Sequence, residues 1–243
     1  MRAKVRGVFR LLFFFFGTIL YVCRYLLKAM VVGHDLNRGL RLRKEWIGYI
    51  LKGLGIQVTT EGIIPSGGGL IVSNHRSYID PVIFLHHFSG LPVAKKEVRN
   101  WPIIGYGISV SGVVFVDRSD LESRRAARES IRKVIEQGYF IINFPEGTTH
   151  KSAQTIQFKS GAFRDAAASN FPVYPVAIDF KDEDDAWIGD DTFLPHFVRC
   201  FGKPSTQVIV RYGNGLRGDD YEVILAQSQA FINQSLRDFS AGW

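Results

Sequence analysis

Little in this chain can be cross-linked. Its two cysteines, Cys23 and Cys200, are too few for a disulfide framework and lack the spacing of a thiolate metal site, so a reducing compartment is expected. The common catalytic signatures are also missing. No Walker loop, HExxH or GxGxxG occurs, which removes the ordinary support for nucleotide hydrolysis, zinc proteolysis and dinucleotide binding. The nearest approach to GxSxG, Gly107 to Ser111, lacks its final glycine, and a serine-triad hydrolase loses its nucleophile elbow. Acidic residues are scarce in the first 60 positions, where eleven Lys or Arg stand against two Asp or Glu; the rest of the chain carries nineteen against twenty-one. The net charge of +7 therefore belongs to the N-terminus. A slightly acidic body does not suggest nucleic acid as a partner, whereas a basic, apolar start suits an anionic membrane surface.

Apolar residues are plentiful in that start. Leu11 to Cys23 is an uncharged run of thirteen bounded by Arg10 and Arg24, about 20 Å as a helix and short for a hydrocarbon core of about 30 Å. At 100° per residue Arg6, Arg10, Gly17, Arg24 and Lys28 form one stripe on an otherwise apolar cylinder. Such a stripe fits a helix lying in the membrane interface or one packed against a second helix. No small-x-small cleavage pattern follows the run, so a removable leader is not expected. A second amphipathic stretch, with Asn37 as its cap, places Leu36, Leu40, Ile47, Ile50, Leu51 and Leu54 on one face and ends at Gly53 and Gly55.

From Ile56 onward, seven short β-rich runs alternate with helical stretches near 79–88, 101–109, 120–137, 160–168, 192–200 and 219–237. Apolar runs of this kind predict strands buried on both faces. The expected fold is α/β, a largely parallel β-sheet flanked by helices, with residues 1–55 as a membrane-associated helix pair and 56–243 as the body. The acidic run Asp182 to Asp191 predicts a solvated loop.

Two segments stand where an apolar strand gives way to a turn, the position at which α/β sheets place their sites. Ser73 to Pro81 contains His75 and, five residues on, Asp80; the carboxylate can fix the imidazole tautomer while His75 accepts a proton. The same pair also fits a helix cap beside a packed core histidine. Phe144 to Thr149 brings Glu146 to the same edge, with Gly147 permitting close approach. Lys95 and Arg118, each ending a strand, can hold an anion. A metal-dependent hydrolase using His75, Asp80, His86, His87 and Glu146, or a non-catalytic membrane-binding module, remains open on composition alone.

Taken together, NHRSYID, AKKEVRNWPIIG with FVDR, FPEGTT and VYPVAI, in this order across residues 73–178, resemble the four blocks of the glycerolipid acyltransferase family that includes bacterial 1-acylglycerol-3-phosphate acyltransferases. The resemblance implies transfer of an acyl chain from acyl-CoA or acyl carrier protein to the free sn-2 hydroxyl of 1-acylglycerol-3-phosphate, giving phosphatidic acid for phospholipid synthesis at the cytoplasmic face of the inner membrane, with another lysolipid as the alternative acceptor. His75 would be the base and Asp80 its partner. Lys95, Arg118, Glu146, Gly147, Thr148 and Thr149 would line the acceptor and transition-state pocket, with neither metal nor resident cofactor. One position departs from the pattern: the third block usually ends in Arg, and here Thr149 stands. Related enzymes that acylate lyso-ornithine lipid resemble this variant.

Overall fold

The computed structural model describes residues 1–100, 105, 112–117 and 120–242. Seven strands form one sheet in the order β1-β7-β6-β2-β5-β3-β4, with β1 Ile56–Glu61, β2 Gly69–Ser73, β3 Gly90–Lys95, β4 Val114–Val116, β5 Phe140–Asn143, β6 Val173–Phe180 and β7 Thr206–Tyr212. Every pair is parallel except β6 with β7. Each of the seven falls on an expected run, β3 opening one residue early at Gly90. The predicted helix over 101–109 lies outside the described residues, apart from Gly105.

Helices cover both faces, as a sheet with apolar residues on each side requires. Ile71 points into a core shared with α2 (Leu36–Leu54), α3 (Asp80–His87) and α6 (Phe193–Cys200). Its neighbours Leu70 and Val72 point the other way, toward α4 (Leu121–Glu136), α5 (Gly161–Ala168) and α7 (Tyr221–Gly242).

The N-terminal stripe is a packing seam. A single helix, α1 (Arg2–Val32), runs well past the uncharged segment, and its arginines explain why. Arg10 donates to the carbonyls of Phe201, Lys203 and Pro204, and Arg6 to that of Gly202. These carbonyls lie at and just beyond the end of α6, where cations are favoured. Arg24 pairs with Glu45 of α2. Gly17 sits against Tyr49, and Gly53, inside α2 rather than at its end, leaves room for Phe13, whose ring stacks on Tyr49 at 4.2 Å. The cap is Asp35, not Asn37: its carboxylate accepts from the Arg38 N–H because the helix begins at Leu36, earlier than the pattern suggested. Gly55, with φ 70°, closes the helix. Phe14 and the buried face of α2 join the same core as the sheet. The opposite face of α1 stays exposed, with Phe9 at 68% and Phe16 at 67%. Among the described residues α1 is the one helix long and apolar enough to cross a membrane.

Candidate active site

Parallel neighbours deliver their loops to the same edge of the sheet, and β6, β2 and β5 are adjacent. Beyond β2 the chain is held at once by Asn74, whose amide donates to the Ile178 carbonyl at 2.8 Å and accepts the Ile178 N–H at 3.0 Å. This reciprocal clamp fixes where His75 leaves the sheet. Asp80 opens α3, fully buried, and its Oδ2 accepts from the backbone N–H groups of Arg76 (2.7 Å) and Ser77 (2.8 Å) as well as from His75 Nδ1 (2.8 Å). With Nδ1 donating, the lone pair of His75 lies on Nε2. The ring stacks on Phe144 at 4.0 Å, so its plane is set from two directions.

His75 lines a cavity of about 530 Å³, within the range of small-molecule sites. From His75, Gly147, Thr148 and Thr149 the walls run through Tyr78, Val82 and Phe193 to Phe14, Tyr21 and Tyr25 of α1 and Leu42, Arg43 and Trp46 of α2. The lining is overwhelmingly apolar. Arg43 is the charged side chain among them, its guanidinium pushed down to about 10 by burial and donating to the carbonyls of Gly90 and Gly112.

The expected pocket residues separate into three groups. Gly147 (φ 75°), Thr148 and Thr149 do line the cavity. The Gly147 N–H is spent on the Phe144 carbonyl at 3.1 Å, and the Thr149 hydroxyl donates to the carbonyl of Trp187. Glu146 turns inward, buried and off the cavity wall, where its carboxylate accepts from the His75 N–H at 2.8 Å and from His150 Nε2 at 2.6 Å. Facing donors on every side, it is drawn into the protein instead of toward a ligand. Of Lys95 only the backbone is described, ending β3 beside β5, and Arg118 lies outside the described residues.

Sequence reasoning passed over Asn74, Arg76 and His150. Arg76 is buried, with Nε on Asp179 at 3.0 Å and Nη1 on the His150 carbonyl at 2.9 Å; burial pushes the Asp179 carboxyl up against the pull of that arginine. Nothing local distinguishes Arg76 from a surface arginine, because its partners come from β6 and from the turn after β5. The acidic run is less free than expected: Asp182 and Asp185 both meet Lys203, and Asp191 meets Arg199. No group of three metal-ligating side chains occurs among the described residues. His87, required by the hydrolase alternative, instead contacts the Tyr212 hydroxyl through Nδ1.

The model of a protein family described as acyltransferase matches residues 55–179, slightly more than half of the chain, including the turns that carry His75 and Glu146. The chain belongs to the acyltransferase family. It is 29% identical over 172 residues to a lyso-ornithine lipid O-acyltransferase of Pseudomonas aeruginosa, across 65% of this chain and 63% of that protein. It is 33% identical over 135 residues to a 1-acyl-sn-glycerol-3-phosphate acyltransferase of Borreliella burgdorferi, across 54% of each. These matches span between half and two thirds of the relatives' length. The crystal structure of the 1-acyl-sn-glycerophosphate acyltransferase PlsC from Thermotoga maritima superposes with a TM-score of 0.74 at 22% identity, over 100% of this chain and 99% of that one. That likeness extends the shared fold to the helix pair.

Proposed function

We propose that this acyltransferase-family chain moves a fatty-acyl group from an acyl thioester, CoA or acyl carrier protein, to the free sn-2 hydroxyl of 1-acylglycerol-3-phosphate. The observation that carries the reading is an oriented imidazole at the mouth of an apolar cavity: His75 gives Nδ1–H to buried Asp80 and lines the cavity beside Gly147. His75 Nε2 takes the proton of the acceptor hydroxyl as its oxygen attacks the thioester carbonyl, and the collapsing tetrahedral intermediate expels a thiolate that recovers that proton. Asp80 steadies the imidazolium in between. The N–H groups of Thr148 and Thr149 make no hydrogen bond among the described residues, and they are the donors available to the developing oxyanion. The cavity between the sheet edge and the helix pair receives an acyl chain.

The exposed apolar face of α1 sits in the plane of the membrane. Basic residues near it favour an anionic cytoplasmic leaflet, the side on which acyl thioesters occur. One observation favours a second acceptor. Where the family pattern has an arginine suited to a phosphate, Thr149 is tied to the Trp187 carbonyl, an arrangement that accommodates a headgroup with an amine, as in lyso-ornithine lipid. Membranes carrying the protein, supplied with acyl-CoA and a panel of lysolipids, decide the acceptor by the mass of the acylated product. Thr149→Arg then refines the answer. With lysophosphatidic acid as acceptor the variant keeps or lowers KM, whereas with an amine-bearing headgroup it raises KM. If both KM values stay unchanged, position 149 does not touch the headgroup.

A further inference from the structure

We infer that His150, acting through Glu146, is a positioning residue for His75; this rests on the reading of His75 as the base. The peptide groups on both sides of His75 are held by one turn. Its N–H donates to Glu146 Oε2 at 2.8 Å, and its carbonyl accepts the His150 N–H at 3.2 Å. Glu146 is itself held through Oε1, which accepts from His150 Nε2 at 2.6 Å and from the Ile156 N–H at 3.2 Å.

The tautomer of His150 follows from its surroundings. Nδ1 faces two donors, the Ser152 N–H at 3.1 Å and Arg76 Nη1 at 3.3 Å, so the ring hydrogen belongs on Nε2, aimed at Glu146. Both side chains are enclosed, Glu146 fully and His150 to 11% exposure. Neither lines the cavity. His150 therefore has no route to the substrates except through the loop it holds. Asp80 fixes the His75 ring and the Glu146–His150 pair fixes its backbone. An imidazole anchored at only one of these points swings its Nε2 away from the attacking hydroxyl, and small misplacements of a catalytic group are costly.

Two variants separate positioning from simple structural support. His150→Leu keeps bulk and removes the donor, while His150→Gln returns an N–H near the place of Nε2. In the full-length protein, steady-state transfer from acyl-CoA to the lysolipid that the panel identifies should show kcat reduced roughly 10- to 100-fold in His150→Leu, with both KM values within about twofold of wild type. His150→Gln should recover kcat to within about threefold. Amide hydrogen exchange at His75, followed by mass spectrometry, should quicken in His150→Leu and return toward wild type in His150→Gln. Unchanged exchange and kcat in the leucine variant overturn the inference. So does a rise in lysolipid KM with kcat intact, which would put His150 on the substrate, or a glutamine variant that stays folded yet is as slow as leucine. The base reading fails separately, if His75→Ala transfers at the wild-type rate; exchange at His75 then decides by itself whether His150 holds the loop.

Discussion

The two ends of the cavity treat charge in opposite ways. At the sheet edge, Asp80, Glu146 and Arg76 are buried, and hydrogen bonds of 2.6 to 3.2 Å join His75 and its neighbours to Asp80 Oδ2 and to both Glu146 oxygens. Along α1 the cations Arg6, Arg10 and Arg24 are only partly buried and mark a seam, while the outward face is bare apolar surface. The first arrangement fixes a geometry, because each buried polar group left unpaired would be costly. The second fixes a location, because exposed phenylalanine and leucine side chains gain from leaving water whatever their exact orientation. Substitutions at the edge should therefore change rate without changing membrane attachment, and substitutions on α1 the reverse.

The largest expected effect at the edge, after loss of His75 itself, is that of Asp80→Asn. An amide oxygen in the place of Oδ2 can accept the same three N–H groups but carries no charge to steady the imidazolium, so the rate should fall about 10²-fold or more. Vesicle binding should stay unchanged. A wild-type rate would make Asp80 a helix-start residue and nothing more. On α1, the double change Phe9→Lys and Phe16→Lys removes two side chains that do not touch the core. Each is worth about 2 kcal/mol when buried in an apolar phase and each new lysine returns about 1 kcal/mol against an anionic surface, so binding to anionic vesicles should weaken by about 30-fold. The unfolding midpoint should not move. Retained binding at high salt would show that the anchor lies elsewhere.

The cysteines sharpen the comparison without altering either region. Cys200 is buried, and burial pushes its thiol up, whereas Cys23 is exposed and shares the apolar face of α1 with Phe16 and Leu27. On vesicles a small neutral maleimide should label Cys23 alone, and a charged thiol reagent should label neither. Labelling of Cys23 by the charged reagent would take that face out of the lipid. The smallest expected effect is a pH dependence of stability. Burial pushes the imidazoles of His87 and His196 below their ordinary value of 6.5. The unfolded chain then binds protons that the folded one refuses, and stability falls as pH drops below about 6.5 until the depressed folded values are passed. Constant stability from pH 7 to 5 in denaturant titrations would contradict this.

Much of this division was legible from residue order. Seven strands, four helices of the body and the junctions carrying His75 and Glu146 announce themselves through apolar runs that stop abruptly at turn residues. The last helix runs on to Gly242 because Phe239 continues the buried face of Ile232 and Leu236, and the run 219–237 closed too early by leaving it out. Orientation was harder to read. Glu146 sits at the expected edge, yet it faces inward because His150 and the His75 peptide outbid a ligand for its oxygens. Those partners are fixed by how β2 and β5 align and by the path of the chain after Thr149. The basic stripe of α1 had two possible meanings, and the carbonyls beyond α6 choose packing for it while the opposite face remains free.

The central claim is that His75 acts as the base on the acceptor hydroxyl. Thioester release and product formation, followed together in wild type and His75→Ala at matched membrane loading, test it most directly. The account predicts a fall of about 10² to 10⁴ in kcat, with vesicle binding and unfolding midpoint unchanged. A variant that still transfers within tenfold of wild type would contradict it.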